Sequence, residues 1–177
     1  MVARDLLGCV LVTRRGGAVT AGRIVETEAY LGPEDAASHA VFRPSSRPLF
    51  YGDGGFAYVY LIYGLHACLN VVAAPAGRPG CVLIRAAEPL EGAPAMARRR
   101  DVAPDHPRLA SGPGNLTRAF GITVADNGRD VTRGPVSIEA RPEAHRLRIA
   151  RGPRIGIGRA PELPLRFWIR DHPCVSR

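Results

Sequence analysis

The segment Phe56-Ala-Tyr-Val-Tyr-Leu-Ile-Tyr-Gly-Leu-His-Ala-Cys-Leu-Asn70 predicts two β-strands joined by a tight turn. Residues 56–62 are rich in aromatic and β-branched side chains, which favour a pleated, half-buried surface. Gly64 adopts a positive φ without steric cost, so we expect the chain to reverse at Tyr63-Gly64. The second strand then returns antiparallel through residues 65–72.

Alternation separates the first strand of this hairpin into two faces. One face carries Phe56, Tyr58, Tyr60 and Ile62, and the other carries Ala57, Val59 and Leu61. Tyr63 is unusual because turn positions favour Asn, Asp or Gly. Two interpretations are open: its ring packs on a neighbouring loop, or it is a wedge presented to something outside the protein.

The bulk properties favour one basic domain. A chain of 177 residues with 46% hydrophobic residues fits a single domain with a buried core. Its net charge is +8 and its pI about 10.2, which indicates a polyanionic partner, most often nucleic acid. The alternative is a basic surface that serves solubility.

The types of basic residue and the spacing of the cysteines restrict which reactions and metal sites the chain can support. All 24 basic residues are Arg, so the α-amino group is the only amine that could form a Schiff base. The four cysteines are far apart, form no CxxC and have no His pair beside them, so we expect no metal site and a reducing compartment. There is no signal peptide and no bilayer-spanning apolar run, so we expect an intracellular protein without a membrane partner.

A second strand is predicted for residues 22–30, Gly-Arg-Ile-Val-Glu-Thr-Glu-Ala-Tyr. Period two places Ile24, Glu26, Glu28 and Tyr30 on one face. A buried unpaired carboxylate is costly, so each Glu needs a partner or a cleft. The alternative is a solvated face with salt bridges to Arg, and Glu26 is interpreted as a structural residue paired with an Arg.

The connections between these strands and the next elements are less regular. Pro33 is expected to open a short helical segment that holds His39 near its end. Arg43 and Arg47 lie in a Pro/Ser loop that suits phosphate contacts, although a solvated loop is equally consistent.

Three further segments complete the pattern. Residues 81–87 predict a strand in which Arg85 needs a carboxylate or an anion. A helix is expected from Glu88 through Arg100, ending in a solvated Arg98-Arg99-Arg100 run. Residues 111–121, beginning Ser-Gly-Pro-Gly, predict a glycine-rich entry to a helix whose N–H groups could hold a phosphate.

These segments, with Arg154-Ile-Gly-Ile and Pro164-Leu-Arg-Phe-Trp near the end, resemble the alkyladenine (3-methyladenine) DNA glycosylase family over nearly the whole chain. The resemblance implies an α+β fold: a single mixed domain over residues 1–177 around a curved antiparallel sheet, with a protruding β-hairpin and peripheral helices. It also implies that the N-terminal helix is truncated here. Asn115 stands where the family usually has Lys, and residues 45–56 match only loosely.

The resemblance also implies roles for individual residues. Glu28 matches the catalytic acidic residue that activates water, and Arg85 matches an arginine near that water and the phosphate. Asn70 matches a pocket residue that disfavours guanine through its exocyclic amine.

The aromatic residues match a base-binding slot. Tyr30, His39 and Tyr60 match the walls that hold a flipped base, and we expect Tyr30 and Tyr60 to project from neighbouring strands. Tyr63 matches the hairpin residue that enters the DNA minor groove.

The implied function is a monofunctional DNA glycosylase of base-excision repair, without a cofactor, acting as a monomer on damaged double-stranded DNA from the minor-groove side. The absence of Lys favours one-step hydrolysis without strand cleavage. Two alternatives stay open. One is a non-catalytic basic nucleic-acid-binding β-domain, and the other is a hydrolase of free nucleosides or sugars.

Overall fold

Short strands and Pro/Gly turns are expected to alternate through residues 130–176. The computed structural model describes residues 1–140 and 147–176, so the part of this prediction at 141–146 lies outside the described residues. Its strands are β1 (Val10–Arg15), β2 (Ala18–Tyr30), β3 (Ala57–Ile62), β4 (His66–Val72), β5 (Cys81–Glu91), β6 (Val136–Glu139), β7 (Ile149–Gly152) and β8 (Arg166–Ile169). Its helices are α1 (Val2–Asp5), α2 (His39–Phe42), α3 (Arg47–Phe50), α4 (Ala93–Arg100) and α5 (Pro113–Phe120), with 3₁₀ turns at Pro44–Ser46 and Val124–Asp126.

Strand β2 organises one curled antiparallel sheet. In the described part of the chain the order is β3-β4-β5-β2-β1-β6, and β8 also pairs with β2 and with β7. The first half of β2 pairs with β1 and its second half, at residues 26–28, pairs with β8. Because one edge of β2 serves two strands in succession, the sheet curls into a half-barrel, and the predicted α+β fold is confirmed.

The hairpin strands β3 and β4 separate two apolar layers as their alternation predicts. Ala57 and Val59 belong to the main hydrophobic cluster, with residues of β4, β5 and α5. Tyr58 packs on the other face against Phe50, with Tyr60 beside it. This segregation leaves the aromatic face of the hairpin available to build a cavity.

Strand β5 is longer than predicted. It continues through Pro89 to Glu91, where pairing with β2 overrides the helical signal, and α4 begins only after Gly92 at a φ of 77°. Gly22 permits this pairing, because a Cβ there would lie 2.9 Å from the Glu88 carbonyl oxygen of β5 and 2.8 Å from Phe120 Cζ.

The segment after β2 also differs from its prediction. Residues 33–38 form turns rather than a helix, and α2 begins at His39. The reason is Asp35, whose carboxylate accepts hydrogen bonds from the N–H groups of Leu31 and Ala37. These bonds close a local turn in place of a helix.

Candidate active site

Strand β2 brings two carboxylates to the same guanidinium. The register between β2 and β5 shifts on both sides of Glu26, between Ile24 and Glu26 and between Glu26 and Thr27. Such bulges re-aim side chains. Glu26 and Glu28 both meet Arg85 of β5, whereas Ile24 packs in the main hydrophobic cluster. The prediction that Ile24 shares the carboxylate face is therefore wrong.

Glu28 is fully buried and is held by three donors. The Tyr30 hydroxyl donates to its Oε2 at 2.9 Å, and the Ile155 N–H donates to its Oε1 at 2.8 Å. Arg85 Nη1 lies 3.2 Å from the same Oε1. A set made only of donors complements a carboxylate, which can only accept.

Glu26, also fully buried, has a separate set of partners. Its Oε1 accepts from Arg85 Nε at 3.1 Å and from Arg166 Nε at 2.6 Å. Ser176 donates its N–H to Oε2 and its hydroxyl to Oε1. The predicted pairing of Glu26 with an Arg is confirmed, and the structure supplies two arginines.

A cavity of about 620 Å³ opens in front of these carboxylates. Five of the predicted site residues line it: Tyr30, His39, Tyr60, Tyr63 and Arg85. Ile155 also lines it, so all three partners of Glu28 belong to the wall. Glu28 is not itself a lining residue, and its contacts with these three partners connect it to the wall.

The two tyrosine walls come from distant strands. Tyr30 ends β2 and Tyr60 lies on β3, and β4 and β5 separate these strands in the sheet. The prediction that they project from neighbouring strands is wrong. The curl of the sheet brings both rings to one cavity instead.

His39 reaches the cavity from the first residue of α2. Its Nδ1 lies 2.8 Å from the Tyr58 hydroxyl, and its ring centroid lies 4.4 Å from that of Tyr60. Burial, followed by the charge of Arg43, lowers the pKa of His39 to about 4. The imidazole is therefore neutral at neutral pH, and its orientation is fixed by Tyr58.

The phenol walls are also neutral. Burial raises the pKa of Tyr30 far above its usual value, and the negative charge of Glu28 raises it further. Burial likewise raises the pKa of Tyr60. The cavity thus offers uncharged aromatic faces next to one carboxylate–guanidinium pair.

Asn70 lies below the main cavity rather than in its wall. It is 2% exposed and borders a void of only about 20 Å³ shared with Tyr30, His39 and Tyr60. Its amide donates to the Tyr58 carbonyl at 3.1 Å, which fixes the orientation of the side chain. Asn70 therefore contributes to the floor beneath the aromatic walls.

A buried ion pair that the sequence did not predict supports this wall. Arg154 and Asp35 have no exposed side-chain surface and form a bidentate pair, at 2.6 and 2.8 Å. The Arg154 guanidinium also lies over the Tyr30 ring, 4.7 Å from its centroid. Arg154 lies in the Arg-Ile-Gly-Ile motif near the end of the sequence. That motif did not indicate Asp35 as the partner, because Asp35 lies 119 residues away.

The hairpin tip projects beside the cavity. Tyr63 has 90% of its surface exposed, which excludes the interpretation that it packs on a neighbouring loop. Tyr63 and Gly64 have φ values of 53° and 71°, and Leu65 N–H donates to the Ile62 carbonyl. Positive φ at both central residues is typical of a type I′ turn, so the predicted reversal at Tyr63-Gly64 is confirmed.

The predicted entry to α5 is confirmed, whereas the predicted solvated arginine run at the end of α4 is wrong. The glycine-rich entry leads into α5 as predicted, with Asn115 donating to the Ser111 carbonyl. Arg99 and Arg100 are not simply solvated at the end of α4, because they donate to the carbonyls of Ala119 and Leu109.

Residues 1–140 and 147–176 contain neither a candidate membrane span nor a candidate metal cluster. No helix there is long and apolar enough to cross a membrane. The same residues include no group of three His, Cys, Asp or Glu side chains placed to hold a metal ion.

An aromatic cavity backed by a buried carboxylate, on a basic domain with a projecting tyrosine, is typical of enzymes that act on nucleic-acid bases. Comparison with known proteins agrees, because the family model described as methylpurine-DNA glycosylase (MPG) matches residues 1–173. The chain belongs to the methylpurine-DNA glycosylase family, whose members are DNA glycosylases for alkylated bases.

Individual relatives cover nearly the whole chain. A protein of Koribacter versatilis is 44% identical across 99% of this chain and 87% of its own length. One from Methanoculleus marisnigri is 46% identical across 99% and 92%, and one from Anaeromyxobacter dehalogenans is 48% identical across 99% and 81%. All three carry the name "Putative 3-methyladenine DNA glycosylase".

Proposed function

We propose that this chain extrudes an alkylated purine nucleotide from double-stranded DNA and hydrolyses its N-glycosidic bond with a water activated by Glu28. The observation that carries the proposal is the position of Glu28, which is fully buried and contacts Arg85, a residue in the wall of an aromatic cavity of about 620 Å³. The product is a free base and an abasic site in an otherwise intact strand.

The cavity suits a planar, positively charged base. Tyr30, His39 and Tyr60 present neutral rings, and stacking on such rings contributes roughly 1–3 kcal/mol per base. An adenine methylated at N3 or a guanine methylated at N7 carries positive charge in DNA, and an aromatic face favours a cation by about 0.5–2 kcal/mol. Extrusion costs a few kcal/mol and costs less for a damaged base, so the slot favours lesions over normal purines.

Glu28 supplies the chemistry at the sugar. Cleavage passes through an oxocarbenium-like sugar, as in glycoside hydrolysis. A carboxylate can take a proton from the attacking water and can stabilise the developing positive charge. Arg85 and the Ile155 N–H fix Oε1, while the Tyr30 hydroxyl holds Oε2, so the orientation of the carboxylate is set before substrate binds.

Tyr63 suits the gap that the extruded nucleotide leaves. A minor groove about 6 Å wide admits a hairpin tip, and apolar or aromatic wedges are commonly inserted between base steps. The ring is 90% exposed and borders the same cavity as the base walls. Approach from the minor groove therefore places the wedge and the slot beside one nucleotide.

The reaction is expected to stop at base release. Glycosylases that also cut the strand use an amine to form a Schiff base, and this chain has no Lys. The monomer is the proposed active unit, because one chain supplies every group used above.

The decisive experiment compares wild type with Glu28→Gln on duplexes that each hold one lesion, 3-methyladenine, 7-methylguanine, hypoxanthine or an etheno adduct. Glu28→Gln preserves shape and removes the proton acceptor, so we expect base release to be lost while binding to damaged duplex is retained. Release at the wild-type rate by Glu28→Gln would contradict the mechanism, and a borohydride-trapped protein–DNA adduct would contradict the absence of lyase chemistry.

The two alternatives make different predictions. A binding domain without catalysis would release no base from any duplex in the panel. A hydrolase of free nucleosides would lose no more activity on duplex than on a single nucleoside when Tyr63 is replaced by Ala, whereas we expect the loss on duplex to be much larger.

A further inference from the structure

A second cavity, of about 350 Å³, lies on the opposite face of the hairpin from the main cavity. Alternation along β3 directs Tyr60 and Ile62 to the main cavity and Leu61 to the second one. We call this second cavity the hairpin groove. Its principal lining residues are Leu61, Leu65, His66, Arg99, Arg118 and Val124.

The positive charge beside the hairpin groove is not neutralised within the described residues. Arg118 Nε donates to the Arg99 carbonyl at 2.6 Å, and Arg99 Nη1 donates to the Ala119 carbonyl at 2.8 Å. Neither guanidinium forms an ion pair with an acidic side chain in residues 1–140 and 147–176. Their orientation is thus fixed by neutral backbone groups, which leave the full charge for another partner.

Like charges also crowd this region. Burial, and then the charges of Arg15 and Arg98, lower the pKa of Arg99. Burial, and then the charge of Arg118, lowers the pKa of Arg100. Arg15 is paired with Asp126, but Arg99, Arg100 and Arg118 form no ion pair within the described residues. Their mutual repulsion is unfavourable in the isolated protein, and an anion in the groove would relieve it.

The geometry of a hairpin in a minor groove identifies that anion. The two walls of a minor groove are the sugar–phosphate backbones of the two strands. The extruded nucleotide enters the main cavity, so the strand that carries the lesion lies on that face of the hairpin. The opposite face, which bears the hairpin groove, then meets the other strand.

We infer that the hairpin groove binds the sugar–phosphate backbone of the strand opposite the lesion, with Arg118 contacting a phosphate. This inference rests on the proposed minor-groove approach of Tyr63. The exposed leucines fit the same occupant, because Leu61 (43% exposed) and Leu65 (79% exposed) offer apolar surface to deoxyribose while the guanidinium faces phosphate. Such contacts position the protein without recognising sequence.

The first test measures the salt dependence of binding to a duplex that holds one tetrahydrofuran abasic-site analogue. Each neutralised phosphate contributes about 0.9 to the slope of log K against log salt. We expect Arg118→Gln to reduce that slope by about 1 between about 50 and 200 mM salt, and Arg118→Lys to retain it. Arg133→Gln is the matched control, because Arg133 is exposed, pairs with Asp130 and lies near the base of the hairpin.

The second test assigns the strand. Neutral methylphosphonates are placed in the complementary strand of one duplex and in the lesion strand of another. Complementary-strand methylphosphonates should weaken wild-type binding and should have little further effect on Arg118→Gln. The inference is overturned if the slope of Arg118→Gln equals that of wild type, or if Arg118 couples to lesion-strand phosphates instead.

Failure of this inference is distinguishable from failure of the proposed function. The salt slope and the strand assignment are binding measurements, whereas the proposed function depends on base release by wild type and its loss in Glu28→Gln. If wild type releases base normally and Arg118→Gln leaves the salt slope unchanged, the inference about the hairpin groove fails and the proposed function stands.

Discussion

The guanidinium of Arg154 lies over the ring of Tyr30, with 4.7 Å between Cζ and the ring centroid. Arg154 does not line the main cavity, so it supports the ring without occupying the space for a base. The next residue, Ile155, donates its N–H to Glu28. Two adjacent residues, Arg154 and Ile155, therefore support the Tyr30 ring and orient the Glu28 carboxylate.

Asp35→Asn tests whether this arrangement positions the reacting groups. Asp35 holds Arg154 through both carboxylate oxygens, so the amide leaves a buried guanidinium poorly paired. Small displacements of reacting groups cost up to about 100-fold in rate, and we expect base release at saturating enzyme to fall by about 10–100-fold. Single-turnover kinetics on a 3-methyladenine duplex measures that rate.

Asp126→Asn is the matched control for this prediction. Asp126 is equally buried and pairs with Arg15 and Arg129, and none of these three residues lines the main cavity. Both variants should lose stability in urea, but only Asp35→Asn should lose the rate of base release. An equal loss of rate in the two variants would show that the Asp35–Arg154 pair stabilises the fold without positioning the reacting groups.

Glu26→Gln tests the other buried carboxylate. Loss of its charge leaves Arg166 without a counter-charge and Arg85 with Glu28 alone, and breaking one partner of a buried ion pair costs about 3–5 kcal/mol. Urea unfolding should register a loss of that order. The same substitution at Glu139, which forms an exposed pair with Arg14, should cost less than about 1 kcal/mol.

The parts of the site that depend on local patterns were predictable from sequence. Alternation along 56–62 and the Tyr63-Gly64 turn fixed the hairpin, because each depends on adjacent residues. The face shared by Glu28 and Tyr30 follows in the same way, since these two residues lie beyond the irregular part of β2.

Features that depend on distant pairing were not predictable. No sequence signal marked the bulges around Glu26, which redirect Ile24 into the core. The use of Asp35 to bind Arg154, rather than to start a helix, depends on a partner brought in by the fold. The convergence of Tyr30 and Tyr60 from non-adjacent strands required the curl of the whole sheet.

His39 predicts a pH dependence of stability. Its pKa is lowered to about 4 in the folded protein, below the value of about 6.5 in the unfolded chain. Between these values the unfolded state binds the proton and the folded state does not, so stability is lost as pH falls from about 6.5 towards 4. Urea midpoints of wild type should decrease as the pH is lowered across this range.

His39→Gln provides the comparison for this titration. The amide does not titrate, so the variant should show a smaller decrease in urea midpoint than wild type over the same pH range. Base release by wild type should also show no loss near pH 6.5, since folded His39 stays neutral there. Parallel pH profiles of stability for wild type and His39→Gln would contradict the assigned role of this imidazole.

Tyr63→Asn should separate stability from function at the hairpin tip. Tyr63 has a φ of 53°, which strains a bulky side chain, whereas Asn is favoured in type I′ turns. We expect a gain of about 0.5–1 kcal/mol in urea unfolding, because the strain is relieved. Base release from duplex should fall, because the amide is too small and polar to fill the gap in the base stack.

Tyr51→Asn is the control, since Tyr51 has a φ of −93° and gains no such relief. A Tyr63→Asn variant that is less stable, or fully active on duplex, would show that the strained ring is not maintained for DNA contact.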